Sequence, residues 1–488
     1  MSARLLIFLL SIVFFPFNSS STETKPIRIT IYPTIIDKKV VGSSTTIINK
    51  ETIKENAHLS LGQLLSKFSG INFENLYSGV DVKSSVRVRG FGEQATRNVL
   101  ILINGIRISD MTIAGANLSR VLIENVQKIE IIKGGKASLL FGDGAVAGAI
   151  NIITKNPLYV EDKFQVKTSL KSFNTRQQII SSAKKFDDFV IDYSITNLET
   201  DGYRNNSDYD QSSFNFNLTN FNDSNSRTFA EFKMTDEQTR LPGSILLTDF
   251  YENPKQTRFP EDFATEKISS IKLGGEKNFY NENKITSILR LEKKDQYSSI
   301  LNWGIRYQSK TTLNTAHFNS QFISNKSTLK KDIIGKFGID IYNSTYKVDA
   351  NNWAYNQYIN KAEQQIIEPS IIINIKDKKI TGLNYELGIR SHHYEIDVFN
   401  LLSSRVKVLS NNEENYAWSF GADYNINTNN KIFGNISRSY RSPRLDEIVT
   451  VGPSTSINPL KHQYSHEMEI GYEQNLSDHR YKISTFKT

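Results

Sequence analysis

Residues 134–155, GGKASLLFGDGAVAGAINIITK, carry the densest chemical suggestion in the chain. Gly142-x-Gly144-x-x-x-Gly148 is close to a dinucleotide fingerprint, and Gly134-Gly135-Lys136 hints at a phosphate loop. A dinucleotide site needs its glycine turn directly behind a strand and directly before a helix, with an acidic ribose ligand further on. Here a β-branched run ends at Ile132, nine residues intervene before Gly142, and AINIIT after Gly148 is a strand pattern. Lys136 lacks the spacing of a phosphate loop as well. The glycines at 142, 144 and 148 therefore predict positive φ and close backbone approach, in a tight connection between two packed strands.

The histidines do not supply a metal site. His462 and His466 are four apart, which on a strand puts them on one face but roughly 13 Å from each other, too far to share an ion. His392 and His393 are adjacent and would point to opposite faces. No nucleophile, base and orienting group fall into a recognisable catalytic context. No enzyme, metal or cofactor is expected. The formal charge of +8 is spread along the chain and reads as solvated surface, not as a nucleic-acid footprint.

The elements that position these residues fall into distinct segments. Residues 1–21 read as a secretory signal, with Arg4, an apolar run from Leu5 to Phe17 and serines suited to cleavage near Ser21. That run is too short to span a bilayer comfortably, and no other segment approaches 18 consecutive apolar residues. The absence of cysteine excludes a disulfide scaffold and a lipid-modified N-terminus in an exported chain. Residues 38–157 read as a compact α/β unit. Ser60 and Gln63 form a capping box, Leu61, Leu64, Leu65 and Phe68 follow at helical spacing, and Gly70 suits a left-handed cap. Val99–Ile103 and Ile106–Ile108, joined by Asn104-Gly105, predict a hairpin. Another strand is expected over Ile129–Ile132.

Beyond Pro157 the period becomes two. Phe189, Ile191, Tyr193 and Ile195 alternate with polar residues, as do Leu383, Tyr385, Leu387 and Ile389, and Tyr416, Trp418, Phe420, Ala422, Tyr424 and Ile426. One face is consistently apolar or aromatic and the other consistently polar. That suits lipid on one side and a wet lumen on the other, better than the two buried faces of a soluble sandwich. In lipid every backbone group must be paired, so the strands are expected to curl into a transmembrane barrel. The expected fold is thus mainly β: an antiparallel transmembrane β-barrel over residues 158–488, with the N-terminal α/β unit inside it.

With these residues in view, Val88-Arg89-Gly90, Leu100–Ile106 and Ile129–Thr154 resemble the plug domain of TonB-dependent outer-membrane receptors. Within the resemblance, Arg89, Gly90, Asn104, Gly105, Gly134, Gly142, Gly144 and Gly148 form the plug's structural motif. Two departures stand out: Gly135 replaces the usual proline, and Ala147 replaces one glycine of a pair. RLPG…ENPKQTRFPEDF and SRSYRSPRLDEI…INPLKHQYSHEMEIGYE resemble segments of the receptors' barrels.

The resemblance implies a Gram-negative outer membrane, with its lipid and lipopolysaccharide around the barrel. It also implies active import of a ferric siderophore or cobalamin, driven by TonB with ExbB/ExbD. The peptide that pairs with TonB would lie in residues 22–37, at Ile27, Arg28, Ile29, Thr30 and Ile31, with Pro33 ending the strand. Candidate ligand-contacting residues on plug loops are Tyr77, Asp81, Gln94, Arg97, Met111 and Asn117. The competing readings are a passive porin or adhesin barrel, and a truncated receptor without function. Family barrels have about 22 strands, whereas residues 158–488, with loops as long as Asp236–Lys267, hold roughly 13 to 16. The barrel is therefore expected to lack C-terminal strands, unless it closes as a smaller cylinder.

Overall fold

A computed structural model describes residues 41–74, 80–82, 84–89, 98–109, 111–112, 116–155, 162–223, 225–302, 304–352, 356–401, 406–449, 460–476 and 479–488. The N-terminal unit runs β1 (Thr45–Ile48), α1 (Lys50–Glu55), α2 (Leu61–Ser66), β2 (Ile71–Glu74), β3 (Ser85–Val88), β4 (Val99–Ile103), β5 (Ile106–Arg107), β6 (Val126–Lys133), α3 (Lys136–Phe141) and β7 (Gly148–Thr154). Its main sheet has the order β1-β6-β7-β4-β5, with β4 and β7 parallel and the other neighbours antiparallel.

Local sequence explains these elements. The Ser60 hydroxyl accepts from the Gln63 amide and the Gln63 side chain accepts in return from Ser60, so α2 starts at the expected box. Asn104 and Gly105 take φ of 51° and 78°, the left-handed pair a tight hairpin needs. The turn is fastened to β7, because Asn104 pairs with Thr154 through its amide side chain at 2.9 Å and the Gly105 amide donates to Asn151 at 2.9 Å. Ile48, Leu64, Leu65, Val88, Ile129, Ile131, Ile150 and Ile152 fill the core between the helices and this sheet.

Gly142, Gly144 and Gly148 all have positive φ, at 84°, 87° and 144°. The connection they shape is not a bare turn, however. Lys136–Phe141 form α3, a helix whose N-cap is Gly135 with no side-chain cap, which is why no start signal showed in the sequence.

The second part is a single antiparallel sheet of 15 strands in chain order. These are β8 (Lys163–Lys171), β9 (Thr175–Lys185), β10 (Phe189–Thr200), β11 (Tyr209–Asp223), β12 (Ser226–Arg240), then α4 (Leu247–Glu252), β13 (Phe263–Asn278), β14 (Lys284–Asn302) and β15 (Ile305–Ser327). They continue as β16 (Lys331–Asn352), β17 (Asn356–Asp377), β18 (Leu383–Asn400), β19 (Val406–Asn425), β20 (Asn430–Arg441), α5 (Leu445–Ile448), β21 (Gln463–Leu476) and β22 (His479–Lys487). The strand number agrees with the length argument, but for a different balance of parts. β12 reaches Arg240 and β13 begins at Phe263, so the loop between them is shorter than Asp236–Lys267, and β15 is 23 residues long. Among the described residues β8 and β22 stand at the two ends of the sheet and are not paired with each other, so the wall is open and not a small closed cylinder.

Alternation along the wall is inverted relative to a soluble sheet. On β18, Leu387 and Ile389 are 44% and 53% exposed, while Glu386 and Arg390 beside them are 4% and 3% exposed. Tyr416, Phe420 and Tyr424 of β19 are likewise exposed, with Ser419 and Asp423 buried. Apolar side chains face outward to lipid, and polar ones face the lumen and the plug inside it.

The Gly148 position gives a direct test of the plug's packing. A Cβ there would overlap the Ile132 carbonyl, in a backbone conformation L residues rarely adopt. Gly148→Ala is expected to lower the plug's stability by about 1–3 kcal/mol, read as a fall in the urea midpoint for loss of protease protection over 126–154. An unchanged midpoint would contradict this packing.

Candidate functional site

The chemistry of the molecule is concentrated where the plug meets the lumen face of the wall. Arg89, at the end of β3 with φ 55°, reaches across to β21. Its guanidinium pairs with Glu467 and, at 2.6 Å, with Glu469, and lies over the Phe486 ring at 4.3 Å. The Gly135 amide donates to the same Glu467 at 2.7 Å, and a Cβ at Gly134 would overlap that carboxylate. A second contact joins Asn117 and Arg120 to Glu237 of β12 at 3.1 and 2.6 Å, with Arg120 also on Glu266 of β13.

The third contact is the most extensive. The Asp143 carboxylate accepts from Arg444 at 2.9 Å and from the Ser442 amide at 2.6 Å, while Arg107 donates to the Asp143 carbonyl at 3.0 Å. The Asp143 amide donates to Glu368 of β17 at 3.1 Å. Glu368 is also engaged by His392 and by the Tyr440 hydroxyl, each at 2.8 Å, and Arg390 bridges Asp340 at 2.9 Å to the carbonyls of Leu139 and Leu140 at 3.0 and 3.1 Å. Burial alone would raise the Asp143 pKa; Arg444, Arg107 and His392 outweigh it and hold the carboxyl well below its usual range.

Residues 442–449 belong to the wall but turn into the lumen. The Leu445 amide donates to the Met111 carbonyl at 3.0 Å, and Leu445, Ile448 and Val449 share a buried cluster with Met111, Tyr342, Tyr346 and Val348. This segment thus seats on the plug beside the Asp143 turn.

The candidate ligand residues divide accordingly. Tyr77, Gln94 and Arg97, along with Gly90 and the peptide Ile27–Ile31, lie outside the described residues. Asp81, Met111 and Asn117 are 2%, 5% and 6% exposed. Asp81 accepts from the Ser60 hydroxyl and the Gly62 amide, both at 2.9 Å, at the start of α2. Met111 meets α5, and Asn117 meets Glu237, so all three are engaged by protein.

The expectation for His462 needs correction. It precedes β21 and does not share a strand face with His466. Its ring is buried 5.4 Å from that of His392, whereas His466 sits on the exposed side against Tyr464. His392 and His393 do diverge, one buried and one exposed. The wall carboxylates Glu368, Glu386, Glu467 and Glu469 were not singled out in the sequence. For Glu467 and Glu469 the signal is in HEMEIGYE, where acidic residues alternate with Met468, Ile470 and Tyr472 and so share the polar face.

The fold and the site define a plugged transmembrane wall of strands. Residues 37–149 match the TonB-dependent Receptor Plug Domain family, and residues 162–488 match the family TonB dependent receptor-like, beta-barrel. The chain therefore belongs to the TonB-dependent receptors, β-barrel proteins of the outer membrane of Gram-negative bacteria. It is 31% identical over 116 residues to the vitamin B12 transporter BtuB of Photobacterium profundum, a match covering 24% of this chain and 18% of that protein. The BtuB of Vibrio vulnificus is 34% identical over 114 residues, covering 23% and 18%. Among solved structures, the ferric citrate transporter FecA superposes with TM-score 0.78 at 13% identity, over 91% of this chain and 69% of that one. The ferric yersiniabactin uptake receptor FyuA from Yersinia pestis gives 0.75 at 14%, over 91% and 72%.

The Asp143 contact predicts a pH signature. A depressed folded pKa contributes stability that is complete above the unfolded value of about 3.9 and is lost as pH falls through the lower, folded value. Asp143→Asn is expected to weaken plug retention by roughly 3–5 kcal/mol at pH 7 by removing the carboxylate that Arg444 meets. The gap from wild type should hold from pH 8 to 5 and close only below about pH 4, followed by hydrogen exchange of 148–154 in urea. A gap that closes near neutral pH would contradict the assignment.

Proposed function

We propose that the protein binds a large, scarce nutrient complex, a ferric siderophore or cobalamin, and imports it into the periplasm with energy delivered by TonB and ExbB/ExbD. The observation that carries this reading is the plug's attachment to the lumen wall through buried ion pairs. Breaking such a pair one-sidedly costs about 3–5 kcal/mol, and the plug carries several, so clearing the lumen calls for work rather than diffusion. A passive porin or adhesin would have no use for such a plug.

The outer membrane sees no ATP, and a strand-forming peptide offers a mechanical handle from the other compartment. Ile27-Arg28-Ile29-Thr30-Ile31 is apolar, β-prone and positioned ahead of the plug, suited to pairing as an added strand. Tyr77, Gln94 and Arg97 supply the aromatic, amide and cationic groups that a large anionic metal complex would use. Asp81, Met111 and Asn117 serve the ligand indirectly, by holding the plug's surface in place. The transport names of the BtuB, FecA and FyuA relatives support both cargo classes, and the chemistry of the chain does not favour one of them.

Two measurements test this. A binding screen of the full-length protein should retain either a ferric siderophore or cobalamin, and growth on that ligand should require TonB. Ile29→Pro should leave binding within about twofold while abolishing growth, because proline removes a ladder donor from the pairing peptide. Growth that persists without TonB would overturn the active-transport reading in favour of a passive pore.

A further inference from the structure

Gly134-Gly135-Lys136 lacks the spacing of a phosphate loop, yet the structure places an unusually costly group there. The Lys136 side chain is 1% exposed, and its ammonium sits 2.5 Å from Glu386 of β18. A buried lysine persists only when its charge and its donors are met. Its second partner is the main-chain carbonyl of Val41.

Val41 and Gly42 are the first described residues of the plug, and the wall is shaped around them. The Gly42 amide donates to Asp423 of β19 at 2.7 Å. Gly42 has φ 74°, and a Cβ there would overlap the Gly434 carbonyl and come within 2.6 Å of the Gly421 Cα. A Cβ on Gly421 would in turn lie 2.7 Å from the Val41 carbonyl oxygen and 3.4 Å from the Lys136 ammonium. The wall glycine Gly421 thus opens a slot, one wall carboxylate holds the backbone amide in it, and one plug lysine holds the carbonyl.

The same short helix is gripped at its other end. Arg390 takes the carbonyls of Leu139 and Leu140, and the next turn carries Asp143 with Arg444 of the inward segment. α3 therefore touches Val41 through Lys136, and the turn that follows it touches the inward segment 442–449 through Asp143.

We propose that Lys136 is a clamp on the N-terminal segment: its bond to Val41, with that of Asp423 to Gly42, keeps residues 41–44 seated against the wall. Displacement of α3 through the Asp143–Arg444 contact releases them. The purpose of release rests on the TonB-coupled reading; the clamp itself is a property of the chain alone.

The chain has no cysteine, so a single Ser43→Cys thiol, at a position 3% exposed, reports seating without background. The full-length protein is kept in outer-membrane vesicles and its alkylation by a maleimide is timed. Lys136→Met/Glu386→Gln, which removes both buried charges together, should speed alkylation about tenfold or more, as should Asp423→Asn and, through α3, Arg444→Ala. Lys136→Arg should return the rate toward wild type. A Ser85→Cys thiol, buried in β3, should stay slow throughout. An unchanged Ser43→Cys rate in the double variant overturns the clamp, an unchanged rate in Arg444→Ala overturns the relay, and equal acceleration of both thiols makes Lys136 merely structural. The readout needs neither TonB nor ligand, so loss of the transport reading would leave it standing, and the converse.

Discussion

The structure depends on the neutralisation of charge in a lumen. A sheet whose outer face meets lipid must turn its polar side chains inward, and on β17, β18 and β21 these include Glu368, Glu386, Arg390, Glu467 and Glu469, all nearly inaccessible. Such groups are tolerable only when paired and hydrogen-bonded. The plug supplies the partners: Arg89 for Glu467 and Glu469, Lys136 for Glu386, and the Asp143 turn for Arg444 and Glu368. Plug and wall are counter-ions to each other, so neither is electrostatically complete alone. This is also what makes the plug a barrier: removing it exposes every pair at once.

Close approach makes these pairs reachable. Gly134, Gly142 and Gly144 bring main chain against Glu467, Glu368 and Arg444, where a Cβ on any of them would overlap the opposing side chain. The stretch that looked like a nucleotide loop is thus a contact surface for the wall. Its glycines allow backbone amides, at Gly135 and Asp143, to bond wall carboxylates directly. The physical resource is the one a phosphate loop uses, namely exposed amides meeting an anion; here the anions belong to the protein.

Much of the fold was legible because it is written locally. Ser60 with Gln63, Asn104 with Gly105, and the period of two in Leu383–Ile389 each determine their own geometry within a few residues. The boundary of the wall was less legible. Alternation tells which face a residue takes but not where a strand stops, so β12 and β13 ran further into the 236–267 stretch than loop composition indicated. α3 was missed because it is six residues between glycines with no capping side chain. The ion pairs were the least legible feature. Arg89 and Glu467 are 378 positions apart, and no local rule connects them. His462 shows the same failure on a smaller scale: strand parity assigned it a face, but it lies before β21, where parity no longer holds.

The central claim is that buried charge pairs hold the plug within the wall. A double-mutant cycle on Arg89→Ala and Glu469→Ala, read as the urea midpoint at which the plug exchanges while the wall keeps its β circular dichroism, tests it directly. The account predicts strong non-additivity, with a coupling of about 1–3 kcal/mol, because Arg89→Ala strands the Glu469 carboxylate, whereas Glu469→Ala leaves Arg89 paired with Glu467 alone. Two effects that simply add would show that the plug is retained by shape, and the account would fail.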